Sequence, residues 1–396
     1  MSLGPFTTHL IPFTKNGKLQ FWNDITKEII EADFSRPNIG ATSGSSVWRN
    51  DQLIELAENE PDWDDKDGCP VIKIRTQAGN LILNFDPTVN ESAASNISYV
   101  LKDWGFGSSL QNAVSYGDNS LVRFRYGGSL PASGSACLSF YVEMNDGSEP
   151  VLAQNNNSGD FSVVIGGAIS VNINSLTLIS GTKYRVVSSA TGTFSNQNNS
   201  GVIKYTGQSS KGFVVSGFTL VSGVTTYQGD IPSNGAVLTR SANSFQFTDL
   251  VTQGVLGVNQ GSFIIKLNNQ IFKELGTTID DFVYLSNSAD SSKYIRLRGN
   301  SSSISIQVVG YGTTITQTVP VSTRKFAFVW NGKNVKLFAT DTMVNESAQA
   351  DDIDITQYGT QGPSIPVVPS LVEISAMAFS PIALTEAQTI VELNKL

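Results

Sequence analysis

Histidine is all but absent from this 396-residue chain, which has only one, His9. A single imidazole leaves no second one for a metal cluster, and a Ser-His-Asp triad would have to take its base from the extreme N-terminus, so His9 is read as structural. Cysteine is nearly as scarce. Cys69 and Cys137 stand far apart without the paired spacing of a zinc site or a redox CxxC, and both are read as free buried thiols. Charged residues make up only 15% of the chain, and 26 basic against 34 acidic side chains leave a net charge of -8. That balance gives no electrostatic footprint for nucleic acid or an anionic membrane surface. No apolar run approaches the roughly 20 residues of a membrane span. No basic stretch followed by an apolar core opens the chain. The sequence therefore predicts a soluble protein that neither binds nucleic acid nor inserts in a membrane, and that has no secretion signal.

What the chain does have is β-pattern. In the stretch from Arg324 to Ala339, Phe326, Phe328 and Trp330 alternate along one strand, Asn331-Gly332 supplies a turn that tolerates positive φ, and Val335 and Leu337 resume the alternation. A hairpin this apolar needs a second sheet to cover it. Its neighbours supply one: Ser262 to Leu267, Phe282 to Ser286, Lys293 to Arg298, Ser302 to Val308 and Leu371 to Phe379 are short β-prone runs separated by Asn, Ser, Gly and Asp. Thr385 and Gln388 form a capping box that opens a short helix through Ile390, Val391 and Leu393.

At the other end, His9 to Thr14 and Leu19 to Trp22 flank Asn16-Gly17 as a second hairpin, with Pro12 predicting an edge strand. Asn23 then reads as the cap of a helix from Asp24 to Ala32, with Ile25 and Ile29 on one face. In the middle third the strand candidates are Leu121 to Tyr126, Ala136 to Met144, Phe161 to Ile165, Ser175 to Ile179, Tyr184 to Ser188 and Phe213 to Leu220. Asn/Ser/Gly-rich stretches such as Gln154 to Asp160 and Ser195 to Ser200 fall in loops. Asp65-Lys66-Asp67-Gly68 reproduces half of an EF-hand loop, but Trp63 takes the first ligand position and no glutamate closes the loop. It reads as a solvated turn.

Three segments carry a family resemblance. Phe34, Ser35, Arg36, Ala41 and Thr42 mark the first, and Asn59, Pro61 and Asp64 the second, where Asp62 replaces a usual arginine. Arg75, Asn80 and Leu81 mark the third. In this order they resemble the leader of a family of bacteriophage virion proteins: tail-fibre, head-spike and head-fibre chains with laminin-G or concanavalin-like domains downstream. The stretch from Asn96 to Ser109 resembles the start of a carbohydrate-module-like jelly roll in that family. Gly229 to Ser233 resembles the short linker between its two sandwiches.

Together these readings predict a mostly β protein of two antiparallel β-sandwiches, the first jelly-roll-like and the second concanavalin/laminin-G-like, after a small N-terminal hairpin-helix segment. The predicted division is 1–33 as a docking segment, 34–90 as the leader, and 91–230 and 231–396 as the sandwiches.

Catalysis finds little support. The E-x-D-x-E triplet of concanavalin-like glycosidases is missing, and Glu143 and Glu373 each offer a lone strand carboxylate. GxSxG, HExxH and P-loop patterns are missing as well. Asp280-Asp281 and Asp351-Asp352 offer oxygen ligands of the kind calcium takes, but unpaired loop acids are ordinary, and no metal or cofactor is expected. Glycan binding needs exposed rings, because sugars stack their apolar faces on Trp and Tyr. Trp104, Tyr116, Tyr227, Tyr311 and Tyr358, each beside Gly, Asn or Asp in a predicted loop, are the candidate contacts.

The resemblance implies a non-enzymatic fibre or spike protein of the virion. It would dock to other virion proteins through its N-terminal segment, assemble as a homotrimer and attach to host-surface glycans. A capsid-decorating head-fibre protein and a polysaccharide depolymerase are the alternatives.

Overall fold

The structure is a computed structural model and describes residues 8–15, 18–23, 27–35, 46–49, 52–56, 63–64, 71–75, 78–81, 97–104, 111–116, 122–126, 129–153, 158–167, 172–231, 238–240, 244–271, 280–300, 302–359 and 371–396. It is mostly β, built of antiparallel sheets with one helix among the described residues. Two compact units share the chain. The C-terminal unit comprises Met1–Pro37, Ala57–Thr76 and Ala242–Leu396, and the central unit comprises Asn38–Leu56 and Gln77–Ser241.

In the C-terminal unit one layer runs through Ile315–Pro320, Ser303–Val309, Tyr294–Gly299, Asp280–Ser286, Gln357–Gly359 and Ser244–Phe247. The ladder continues through Glu28–Ser35, Lys18–Asn23 and Thr8–Lys15 to the other layer: Leu371–Ser380, Gln260–Ile271, Lys325–Asn331, Asn334–Ala339 and Thr342–Ala348. Phe263 and Tyr358 lie on strands that do not pair, yet their rings are 5.3 Å apart, so the two layers face each other across the core. Phe326, Phe328 and Trp330 are buried there, as the alternation predicts. The residues between them are buried too. Ala327 and Val329 face the opposite way and join Ile264, Phe338 and Ala378 under Leu384 and Leu393, so the helix Glu386–Lys395 covers the back of the sheet. The Thr385–Gln388 capping box is formed, and Lys325 Nζ donates to the Leu393 carbonyl oxygen at 2.9 Å near the helix end.

The N-terminal hairpin forms in the predicted register, from Thr8 opposite Asn23 to Lys15 opposite Lys18. Three expectations about it are corrected. First, the predicted Asp24–Ala32 helix is replaced by the strand Glu28–Ser35, which pairs with Lys18–Asn23. Lys27, at φ 58, a turn conformation, donates its N–H to the Asn23 carbonyl oxygen at 2.9 Å. Beyond that turn the burial has period two: Ala32 is buried and Ile30 half-buried, whereas Ile29, Glu31 and Asp33 are exposed. Pairing with the neighbouring strand outweighs the capping signal of Asn23. Second, the strand containing Pro12 is not an edge, because Thr8 and His9 also pair with Phe379 and Ala378. Pro12 falls instead within the register shift between Ile11 and Thr14, where no ladder hydrogen bond is demanded of it. Third, the described strands within residues 1–33 are not set apart but lie inside the ladder of the C-terminal unit, and Phe21 stacks on Phe247 at 4.8 Å.

The central unit pairs a six-stranded sheet with a four-stranded one. The first is ordered Asn172–Ser180, Lys183–Thr193, Ser133–Met144, Phe213–Ser222, Gln111–Tyr116, Ile97–Lys102, and the second Val122–Tyr126, Ser200–Lys204, Phe161–Val164, Leu152–Ala153. The last pair is parallel. Leu138, Phe140, Val142 and Met144 point into the core with Phe161, Val163, Val202 and Phe218. The alternate residues Cys137, Ser139, Tyr141 and Glu143 line the other face. Asn80, fully buried, spans two segments: its amide donates to the Phe218 and Ile231 carbonyl oxygens at 3.0 and 2.9 Å and accepts from the Leu220 N–H at 2.9 Å. Cys137 is free and buried, as the sequence predicts, and the half EF-hand at 65–68 lies outside the described residues.

Candidate functional site

The five aromatic candidates are divided between the units. Trp104, Tyr116 and Tyr227 belong to the central unit, and Tyr311 and Tyr358 to the C-terminal unit. Three are unfit to stack a sugar, because Trp104 is 2% exposed and Tyr311 and Tyr358 are 0% exposed. Tyr358 lies on a strand, not in a loop, and packs against Phe263 and Phe379. Tyr311 is in a turn but points inward, with Lys293 Nζ 5.6 Å from its ring centroid. Burial and the nearby Asp354 carboxylate hold its hydroxyl well above the ordinary range. Lys102 lies over the Trp104 ring at 5.6 Å. Polar neighbours in sequence mark where the chain turns, but they do not say which way a ring at the turn points. Tyr116 ends the strand Gln111–Tyr116, and its side chain lies outside the described residues.

Tyr227 is half-buried and belongs to a polar cluster. Its hydroxyl donates to Asp230 Oδ2 at 2.6 Å, the Tyr141 hydroxyl donates to the same oxygen at 2.5 Å, and the Arg185 guanidinium covers the Tyr227 ring at 4.2 Å. Burial, reinforced by the Asp230 carboxylate, raises the Tyr141 hydroxyl well above its usual range.

The C-terminal unit brings together a second set of residues, of which the sequence reading singled out only Asp281. Ile295 and Leu297 of the strand Tyr294–Gly299 are buried in the core, so Tyr294, Arg296 and Arg298 take the outward phase. Cross-strand pairing aligns Arg296 with Tyr284 on one side and Gln307 on the other, and Gln307 with Thr316 beyond. The side chains are joined in a row: Arg296 Nε donates to Gln307 Oε1 at 2.8 Å, and Gln307 Nε2 donates to Thr316 Oγ1 at 3.2 Å. A bulge between Asp281 and Val283 shifts the phase of the next strand, so Phe282 and Val283 both enter the core and Asp281 stands opposite Arg298. Asp281 then reaches both guanidiniums, Arg296 Nη1 at 3.0 Å and Arg298 Nε at 3.3 Å. Burial lifts the Asp281 carboxyl above its ordinary value, and the two arginines oppose that rise. The Tyr284 and Tyr294 rings stack at 4.9 Å, and the Arg296 guanidinium lies 4.9 Å from the Tyr294 ring centre. Further along, Gln357 Nε2 donates to Ser286 Oγ at 2.8 Å and Gln246 Nε2 to Gln357 Oε1 at 3.1 Å.

This face carries guanidinium, amide, hydroxyl and phenol groups on paired strands, with Thr316 exposed, Tyr294, Arg298 and Gln307 half-buried, and Asp281, Tyr284 and Arg296 buried. It suits a ligand rich in hydroxyl groups. The Arg-x-Arg phase of KYIRLR and the lone Gln307 within SISIQVV were its sequence signal.

The acids that the sequence reads as ordinary rather than as calcium ligands make contacts of their own. Asp281 pairs with the two arginines, Asp351 with Lys293 at 3.4 Å, and Asp352 accepts from Asn259 Nδ2 at 3.3 Å. Among the described residues no group of three His, Cys, Asp or Glu is placed to hold a metal ion, and no helix is long and apolar enough to cross a membrane. Glu143 pairs with Lys102 and accepts from Thr182, and these contacts hold its carboxyl below the usual range despite the opposing effect of burial. Glu373 accepts from Asn268 Nδ2 at 3.2 Å.

No family model matches the chain, and no curated protein matches it. Among solved structures it is similar to the CBM40 module of the Ruminococcus gnavus IT-sialidase bound to α2,6 sialyllactose, with TM-score 0.27 and 16% identity over 37% of this chain and 91% of that one. Domain 4 of the arabinanase AbnA from Geobacillus stearothermophilus, in complex with arabinotriose, gives TM-score 0.29 and 15% identity over 38% of this chain and 72% of that one. The binding domain of botulinum neurotoxin serotype D gives TM-score 0.28 and 10% identity over 39% and 43%.

Proposed function

We propose that this protein is a non-enzymatic structural component of a bacteriophage fibre or spike that attaches to host-surface glycans through its C-terminal β-sandwich. The observation that carries the attachment reading is the hydrogen-bonded row from buried Arg296 through half-buried Gln307 to exposed Thr316, beside the half-buried Tyr294 ring. Its groups are held by neighbouring strands before any ligand arrives, which limits the ordering cost of binding. The virion assignment is supported by the resemblance of the Phe34, Asn59 and Arg75 segments. Contact with other virion proteins is assigned to the N-terminal strands, whose Ile29 and Glu31 face outward. Assembly as a homotrimer belongs to the same reading.

The test is a glycan array probed with the full chain, alongside an assay for released reducing ends. Binding without release is the expected result. Release of reducing ends would establish a depolymerase, and failure to bind any glycan would remove the attachment role. Immunogold labelling of particles then separates a tail fibre from a head fibre, and light scattering reads the subunit number.

A further inference from the structure

One end of the ladder in the C-terminal unit is the strand Ile315–Pro320. It pairs with Ser303–Val309, and among the described residues no strand lies on its other side. Thr316, Thr318 and Pro320 are exposed and Gln317 is half-buried. Such an edge offers N–H and C=O groups to another strand, and folded proteins blunt it with charges, bulges or proline. At the opposite end of the ladder these devices are present: Thr342–Ala348 has a register shift against its neighbour, and its Glu346 pairs with Lys336 at 3.2 Å. Ile315–Pro320 has neither device. No charged residue stands between Arg298 and Arg324, and the pairing with Ser303–Val309 runs without a shift. The one proline of the strand, Pro320, is its last residue.

The strand is also a palindrome in chemical type. From either end, Ile315-Thr316-Gln317-Thr318-Val319 runs β-branched apolar, hydroxyl, amide, hydroxyl, β-branched apolar. A two-fold axis through Gln317 therefore sets Ile315 against the partner's Val319, Thr316 against the partner's Thr318, and Gln317 against the partner's Gln317. Side chains directly opposite each other in an antiparallel pair share a face, where threonine pairs and β-branched pairs are favourable. The core-side Ile315 and Val319 would meet their counterparts on the inner face and the exposed threonines theirs on the outer one. Gln317 Nε2 donates at 3.2 Å to the carbonyl oxygen of its own neighbour Thr318, a bond it can exchange for one across the axis.

We infer that two copies of this chain join edge to edge through residues 315–319, antiparallel and centred on Gln317, so that the sheet of one C-terminal unit continues into the next. The occupant is a second copy because a palindromic strand is complementary to itself, which is what an isologous two-fold contact requires. Such a contact closes on itself. It doubles whatever subunit number the rest of the chain sets, giving a dimer from single chains and a hexamer from trimers. It stands apart from glycan attachment and needs no ligand.

The experiment is sedimentation of the full chain over a concentration series, because an edge this short belongs with the small, weak interfaces. The mass is expected to double as concentration rises. Gln317→Lys and Gln317→Glu each place like charges opposite each other across the axis, and each variant alone should stay at half the wild-type plateau. An equimolar mixture of the two variants brings opposite charges face to face and should regain the doubled mass, which an unfolded variant could not do. A wild-type mass that never doubles overturns the contact, and so does a doubling that survives both substitutions. Variants that halve the mass without recovering on mixing overturn the pairing centred on Gln317. The glycan array reads attachment separately, so failure here leaves that reading standing.

Discussion

Tyr141 donates a 2.5 Å hydrogen bond to Asp230, a residue 89 positions further along the chain and 1% exposed. Tyr227 adds a second bond to the same oxygen, so the end of the central unit is pinned to the outer face of its six-stranded sheet by two phenols on one carboxylate. Replacing Tyr141 by Phe keeps the ring and removes one donor from a buried charge. The expected loss is about 1–3 kcal/mol, because the desolvated oxygen keeps its cost and loses part of its compensation. Tyr227→Phe, at a half-buried position where water can substitute, should cost less. Urea melts of the two variants read the difference, and equal losses would contradict it.

The same segment shields Cys137, which packs with Val187, Val221, Val224 and Ile231. Burial pushes the Cys137 thiol up to about 12 from 9.0. Its folded-state value is thus raised. The associated stability is complete below pH 9.0 and is lost as pH climbs toward 12, since the unfolded chain ionises first. Relative to a Cys137→Val variant, the wild-type urea midpoint should fall over that range and stay level below it. A disulfide reagent at pH 8 should label Cys137 only at the rate of opening, and labelling as fast as that of an exposed thiol would refute the burial.

Phe263, Phe328 and Phe379 surround the interior of the C-terminal sandwich, with Phe328 5.9 Å and Phe379 4.8 Å from Phe263. Trp330 completes that core at 1% exposure. Trp330→Ala should cost about 3–5 kcal/mol, the usual range for emptying a large buried aromatic site. A guanidinium melt checks this, and a loss below 1 kcal/mol would mean that the hairpin is not the centre of the core.

Much of this fold was legible in the sequence, because burial on one face of a strand leaves a period-two pattern. The Trp330 hairpin carries that signature in its alternating rings, and the Thr385 capping box is an equally local signal for the helix. Ile315–Pro320 and Thr342–Ala348 carry neither. They are the two ends of the ladder, so half their surface is solvated and their sequences, ITQTVP and TMVNESA, read as polar linkers. The strand after Lys27 was missed for a different reason: Ile29, Ile30 and Ala32 suit either period, and only the partner strand decides. The candidate site was hidden because its residues come from four strands, aligned by register and by the bulge at Asp281. Ring exposure was misjudged at Tyr358 because turn-forming neighbours concealed a short interior strand.

Two glycines in the left-handed region separate backbone strain from collision. Gly254 has φ +69 and open space where a Cβ would stand, whereas Gly310 has φ +87 and would place a Cβ 2.4 Å from the Ser292 carbonyl oxygen. Gly254→Ala should cost about 1 kcal/mol, the penalty of the conformation alone. Gly310→Ala carries that penalty plus a backbone displacement beside Tyr311 and should cost distinctly more. Comparable midpoints for the two variants would show that the turn at Gly310 moves freely.

Truncation of residues 1–33 tests whether the N-terminus is an appendage or part of the sandwich. Its strands lie between Ser244–Phe247 and Leu371–Ser380 in the ladder, so their removal unpairs the edges of both. It also takes Phe21 from its stack on Phe247 and from its edge contact with Phe379 at 6.1 Å. A single Phe-to-Ala change at such a buried site costs about 3–5 kcal/mol, and whole-domain stabilities are only about 5–15 kcal/mol. The truncated chain should therefore lose the cooperative unfolding of its C-terminal unit and become sensitive to protease there, before any question of particle docking arises. The helix Glu386–Lys395 packs on the opposite face of the same sheet and should be released with it. A truncated protein with a wild-type melting profile would show instead that these strands are dispensable, and the N-terminus would then be free to serve as a detachable anchor.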